Sequence, residues 1–264
     1  MPRFAANLHS LFTEWAFLDR FAAAADAGFT AIELHFPYDF SADLVASRLQ
    51  RSGLKAVTMA LPAGNWAAGD RGLAALPDRF ADLKASVERG LAYARTIGAT
   101  KVQMMAGLGS MADGAAAESF RRALAHAGER LGLHGIQLLI EPLAPREIPG
   151  YFLTDFCYAA NMAAEPAFPN LKLQFDIYQR QMAAGDVAMA LGRRIRQIGH
   201  VQVAGVPDRG EPDDGELNYG FLFTKLECLG YTGYVGCDYK PRGRSTANGL
   251  GWYFPYSSRA RVSA

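Results

Sequence analysis

The sequence predicts an α/β fold, a closed (β/α)8 barrel, on three observations. Short apolar, β-branched runs alternate with longer Ala-rich amphipathic segments along the chain. Such alternation implies right-handed βαβ units and a parallel sheet. Eight of these runs occur in 264 residues, a length and a repeat number that suit one barrel. No run is followed by G-x-G-x-x-G, so an open doubly wound sheet lacks its dinucleotide fingerprint.

The elements follow in order. The first strand is "RFAANL" (3–8), and "WAFLDRFAAAADAG" (15–28) is the helix after it, with apolar residues at helical spacing and Gly28 placed to cap it. "TAIEL" (30–34) and "LKAVTMAL" (54–61) are the second and third strands. A second clear helix, "RFADLKASVERGLAYARTIG" (79–98), ends on Gly98 and leads into the fourth strand, "TKVQMMAG" (100–107). "IQLLIEP" (136–142), "LKLQFD" (171–176), "HVQVAG" (200–205) and "YVGCDY" (234–239) complete the set. Seven helical segments are expected in the gaps. No linker or low-complexity segment interrupts the series, so a single barrel domain over 1–264 is expected. Two connections are long, 62–78 after the third strand and 206–220 after the seventh. Both leave carboxyl ends of strands, the side on which barrels build their sites.

Composition limits the function classes. With 27 basic and 26 acidic residues the formal net charge is +1, which gives no basic field for nucleic acid. No stretch approaches the roughly 18 apolar residues of a membrane span, and the N-terminus lacks a long apolar core. A soluble, cytoplasmic protein acting on a small molecule is expected. Cys157, Cys228 and Cys237 are odd in number and show no C-x-x-C spacing, against a disulfide framework or a thiolate metal site. Nothing in the sequence selects an oligomeric state, and a homo-oligomer stays open.

Polar residues close the last four strands. In "LLIEPLAPREIPGY" (138–151) an apolar run ends on Glu141, and Pro142 turns the chain away. The sixth strand ends at Asp176, the seventh carries Gln202 and the eighth carries Asp238. One polar residue at a strand end is simply the exit into a loop. Four on consecutive strands, about 4.8 Å apart, can converge on one point. Three carboxylates and an amide form an all-oxygen set that suits Mg²⁺ or Mn²⁺ better than zinc. His200 shares a face with Gln202 and is expected deeper in the barrel as a satisfied polar residue. His126 and His134 fall on or after a helix and are expected at the surface. His35 can reach the rim, and for His9 a structural and a functional role stand level. Histidines so scattered argue against a multi-zinc phosphodiesterase, and neither a G-x-S-x-G elbow nor a P-loop is present.

Five stretches, "LPAGNWAAGDRGLAALPDR" (61–79), "LLIEPL" (138–143), "LQFDIYQRQ" (173–181), "DRGEPDDGELNY" (208–219) and "YVGCDYKP" (234–241), together resemble the hydroxypyruvate isomerase family of the xylose isomerase-like barrels. The resemblance covers nearly the whole chain, to "GLGWYFPY" (249–256). The long loop after the third strand and the R-G-E-P segment are its specific marks. The strand-end acidic pattern is shared with sugar 3-epimerases. The resemblance implies that Glu141, Asp176, Gln202 and Asp238 bind a divalent cation, and that Glu141 and Asp238 are the proton-transfer pair. It implies substrate contacts for Arg209 and Glu147, and it puts Gln179 where the family usually has a substrate-side histidine. Other departures are Asp238 for the family's usual glutamate, Asn65 in a loop that usually reads P-A-G-D-W, and Ala60 and Ala144 where asparagines are expected. The two alanines are expected to make room for a larger substrate.

The chemistry implied is a shift of a carbonyl along a small 2-oxo acid such as hydroxypyruvate. A cation polarises the carbonyl and stabilises an enediolate while carboxylates move the proton. Arg209 is expected to hold the substrate carboxylate through a bidentate pair. Two other readings stay open: a ketose 3-epimerase acting on a longer sugar, and a sugar- or acid-binding barrel with an impaired site.

Overall fold

The computed structural model describes residues 2–256; Met1 and 257–264, inside the bounds expected for the barrel, lie outside the described residues. Eight parallel strands close into a barrel in sequence order: β1 (Arg3–Asn7), β2 (Ala31–Leu34), β3 (Lys55–Ala60), β4 (Lys101–Gln103), β5 (Gln137–Ile140), β6 (Leu171–Asp176), β7 (Ile198–Val203) and β8 (Tyr234–Cys237). All eight expected runs form strands. Several stop short of the sequence estimate, most of all β4, because pairing ends where the chain leaves for the rim loops.

Around the barrel lie α1 (Arg20–Asp26), α2 (Ala42–Ser52), α3 (Phe80–Ile97), α4 (Gly114–Gly132), α5 (Phe156–Met162), α6 (Ile177–Ala184), α7 (Val187–Arg194) and α8 (Tyr219–Cys228). The seven gaps thus hold eight α-helices among the described residues. The extra one arises between β6 and β7, where Gly185 and Asp186 both adopt positive φ (59° and 52°) and break the segment in two. α3 shows why these segments are helical. Leu83, Val87, Leu91 and Ala94 recur every three or four residues and are buried, and Gly98 ends the helix at φ 71°. No helix among the described residues is long and apolar enough to cross a membrane.

The main apolar core lies between the strands and the helices. The barrel's inside is different. Ala5, Ala31 and Val57 make a small separate apolar cluster, and Asn7, Glu33, Gln103, Gln174, His200 and Gln202 are all buried. Register sets their levels: Asn7 pairs with Glu33, Asp176 with Gln202, and Gln202 with Gly236. Irregular register at Ile32/Glu33 and Leu173/Gln174 marks bulges at two of these polar positions.

Gly236 makes room for that interior. A Cβ there would lie 1.8 Å from Glu33 Oε1. Gly236→Ala is therefore expected to lower stability by about 1–3 kcal/mol, the scale of overpacking a filled interior. Chemical denaturation of the variant checks this, and an unchanged midpoint would show that Glu33 yields freely.

Candidate active site

Glu141 is the first residue past β5, Asp176 ends β6, and Asp238 is the first residue past β8. All three are buried at the carboxyl rim. Asp176 also caps α6, its Oδ1 accepting from the backbone N–H of Tyr178 at 2.8 Å. That leaves Oδ2 to face the barrel axis. There it meets Arg209, which the loop after β7 carries in the left-handed region at φ 61°. A non-glycine residue held there is strained. Its carbonyl accepts from Lys240 N–H at 2.8 Å, and its own N–H donates to Gly205 O at 2.8 Å.

The guanidinium of Arg209 is taken up by protein acceptors. Nη2 donates to Asp238 Oδ2 at 2.7 Å and Asp176 Oδ2 at 3.3 Å, and Nη1 donates to Glu147 Oε2 at 3.0 Å. Nε reaches the Asp238 carbonyl at 3.4 Å. Tyr178 lies under the guanidinium, 5.0 Å from ring centroid to Cζ, and its hydroxyl donates to Glu147 Oε1 at 3.0 Å. In this structure the Arg209 donors are directed at Glu147, Asp176 and Asp238. The loop carrying it is clamped in turn by Arg242, which forms a bidentate pair with Asp208 at 2.8 and 3.0 Å and reaches Glu211 at 3.2 Å.

Below the rim runs a polar ladder. Gln103 and Gln174 both donate to Glu141 Oε2, the latter at 2.8 Å. Gln174 Nε2 also donates to Gln202 Oε1 at 2.8 Å, and Gln202 Nε2 donates to Glu33 Oε2 at 2.7 Å. Glu33 Oε1 pairs with His200, and Asn7 links Glu33 to His35 at 3.2 and 3.1 Å. The Gln202 amide is fixed with its nitrogen toward Glu33 and its oxygen toward Gln174. His200 lies deep in the barrel, as expected, but it is only half satisfied: Nε2 meets Glu33, while the buried Nδ1 has no hydrogen-bond partner among the described residues. His134 is exposed, and His126 is half-buried against Phe80.

The charges do not balance locally. Burial pushes the Glu141 carboxyl well up from its usual range, and the neighbouring Asp176 and Asp238 add to this. Asp176 is raised for the same first reason, burial, with Arg209 opposing. At Asp238 burial acts in the same direction, but Arg209, His35 and the Ser10 hydroxyl outweigh it and hold the carboxyl below the usual range. That hydroxyl donates to Oδ1 at 3.0 Å. The rim therefore holds two carboxyls, Glu141 and Asp176, inclined to keep a proton and one, Asp238, inclined to lose it. Among the described residues no three His, Cys, Asp or Glu side chains are drawn close enough to grip a metal ion, because the Arg209 guanidinium lies where Asp176 and Asp238 meet.

A cavity of about 420 Å³ opens over this rim. Glu141, Asp238, Arg209, Glu147 and Gln179 line it; Asp176 and Gln202 lie behind its wall. Gln179 is buried, and its Oε1 accepts the Ala144 N–H at 2.9 Å, so its carbonyl supports the loop after β5. Ala60 and Ala144 are fully buried and are not part of the cavity wall. The expectation that they enlarge it is corrected: at a strand end, residue type alone does not tell which way the side chain faces. Sequence reasoning also passed over Ser10, Gln103, Gln174, Tyr178 and Lys240. Gln103 and Gln174 had a signal, each being an amide flanked by apolar residues inside a predicted strand run. Ser10 and Lys240 had none.

The model of the xylose isomerase-like TIM barrel family matches residues 21–256. The chain is 48% identical over 261 residues to the 2-oxo-tetronate isomerase of Cupriavidus necator, covering 98% of this chain and 100% of that one. It is 39% identical to the hydroxypyruvate isomerase of Escherichia coli, with 97% and 100% covered. The crystal structure of AP endonuclease, family 2, from Brucella melitensis matches with a TM-score of 0.95 at 43% identity, covering 98% and 100%. Likeness of this extent, on a closed barrel with acidic residues gathered at one rim, means that the chain is an isomerase and belongs to the hydroxypyruvate isomerase family of the xylose isomerase-like barrels.

Proposed function

We propose that the protein isomerises a small 2-oxo acid, moving the carbonyl between adjacent carbons through an enediolate, with a divalent cation as cofactor. The observation that carries this reading is the pair Glu141 and Asp238. Both line one cavity, and their surroundings push their protonation in opposite directions. Two carboxyls split in this way suit a reaction in which one group removes a proton and another delivers one. Asp238, held ionised, takes the proton from the hydroxyl-bearing carbon. Glu141, inclined to hold a proton, delivers one to the former carbonyl carbon. The hydroxyl proton passes to the former carbonyl oxygen, and proton exchange with solvent returns Asp238 and Glu141 to their starting states. For hydroxypyruvate the product is tartronate semialdehyde, with no change in composition.

Glu141, Asp176, Gln202 and Asp238 are the residues that would hold Mg²⁺ or Mn²⁺. The donor set fits such an ion: it is all oxygen, and its carboxylates outnumber the one guanidinium among them. When bound, the ion supplies a Lewis acid for the substrate carbonyl. Glu33, by accepting from the Gln202 amide nitrogen, fixes that amide with its oxygen toward Gln174. In this structure Arg209 is counter-ion to Asp176 and Asp238; an ion held by those two carboxylates would take over its Nη2 contacts, and Glu147 would still hold Nη1.

Among small 2-oxo acids the four-carbon 2-oxo-tetronate is the favoured substrate, because the relative of that name shares 48% of its residues and the hydroxypyruvate isomerase 39%. The 3-epimerase reading loses its support with Ala60 and Ala144, which add nothing to the cavity. The impaired-barrel reading rested on Gln179 and Asp238; both line the cavity, and Asp238 keeps a carboxylate at the rim. An assay of the purified protein against a panel of 2-oxo acids and neutral ketoses, with Mn²⁺ and with chelator, tests the proposal. Turnover of a 2-oxo acid that chelator abolishes is expected. Turnover of ketoses alone would overturn the substrate class, and full activity in chelator would overturn the cofactor.

A further inference from the structure

We propose that Lys240 binds the substrate carboxylate and thereby selects 2-oxo acids over neutral ketoses; this rests on the isomerase reading above. An acid entering this cavity needs a cation that the protein has not already used. In this structure Arg209 gives its donors to Glu147, Asp176 and Asp238. Lys240 lines the same cavity, two residues beyond Asp238. Its backbone is fixed, with the N–H given to Arg209 O at 2.8 Å, buried Tyr239 before it and Pro241 after it. Its ammonium has no hydrogen bond or ion pair among the described residues. An unpaired, flexible ammonium beside a fixed backbone can follow a small anion.

Charge balance points the same way. Four carboxyl groups, Glu141, Glu147, Asp176 and Asp238, share a single guanidinium at this rim. The Lys240 ammonium adds a second positive charge beside them for an anion that enters. Without it, a carboxylate would approach a negative cavity, whereas a neutral ketose would meet no such barrier.

The test compares the unmutated protein, Lys240→Met and Lys240→Arg with Mn²⁺ present. Lys240→Met is expected to raise KM for the 2-oxo acid about 10-fold or more and to change kcat by less than about 3-fold, the pattern of a lost binding contact. Lys240→Arg should restore most of the affinity. The KM of the unmutated protein should rise with ionic strength, and that of Lys240→Met should rise much less. Inhibition by dihydroxyacetone, a neutral ketose, should be the same in all three. An unchanged KM in Lys240→Met, or an equal loss of dihydroxyacetone binding, overturns the assignment. If no 2-oxo acid is turned over, the isomerase reading fails by itself. Calorimetry with hydroxypyruvate then decides on Lys240: binding lost in Lys240→Met upholds it, and equal or absent binding in both proteins overturns it.

Discussion

Glu141→Gln is expected to lower kcat/KM by roughly 10²-fold or more, the scale of a lost general acid or base, while the barrel stays folded. The amide keeps the side chain's shape and one oxygen to accept from Gln103 and Gln174. It removes a charge that burial and the neighbouring Asp176 and Asp238 all disfavour. The melting temperature should therefore hold or rise as activity falls. That combination separates a residue kept for chemistry from one kept for packing. Kinetics and a thermal melt on the same preparation check both halves. Near-normal turnover would remove Glu141 from proton transfer.

Asp238→Glu is expected to lower kcat/KM on the 2-oxo acid by on the order of 10²-fold, although the family usually has glutamate at this position. The short carboxylate is held at both oxygens, by Ser10 at 3.0 Å and Arg209 at 2.7 Å. One more methylene would advance it by roughly 1 to 1.5 Å, about a C–C bond length, into Arg209. A misplacement of about 1 Å can cost on the order of 10²-fold in rate. The comparison is made over the whole substrate panel. A gain on hydroxypyruvate would mean that the site is a weakened form of the glutamate version instead of one rebuilt around aspartate.

The strands were legible because parallel strands covered on both faces must be apolar almost throughout, so "LKAVTMAL" and "LKLQFD" stand out from their helical flanks. Their order around the barrel was legible too, since βαβ units have one hand. Glu141, Asp176 and Asp238 were visible as charges at the ends of such runs. The paired helices α6 and α7 were not separated, because a Gly-Asp break costs little and resembles an ordinary cap. The ladder was hidden for a different reason. Glu33 and Gln202 are 169 positions apart, and only closure of the barrel brings them together. Nothing local in "AIELH" says that its glutamate faces a histidine from β7. Arg209 was expected near the substrate, and its type and loop were read correctly. Which acids it would serve depended on where four separate strand ends converge.

The ladder from Glu33 to Glu141 crosses the barrel from its first quarter to its middle. Its links are shared atoms: Gln174 Nε2 serves Gln202 and Glu141 together, and Gln202 spends its two ends on Gln174 and Glu33. Substitutions on β2, β6 and β7 therefore do not combine as independent events. A lineage that replaced Glu33 would release the Gln202 amide to turn over, and with it the partner that orients Gln174 beside Glu141. The interior positions of this barrel are thus coupled through shared hydrogen-bonding atoms, and a change at one strand is felt at the others.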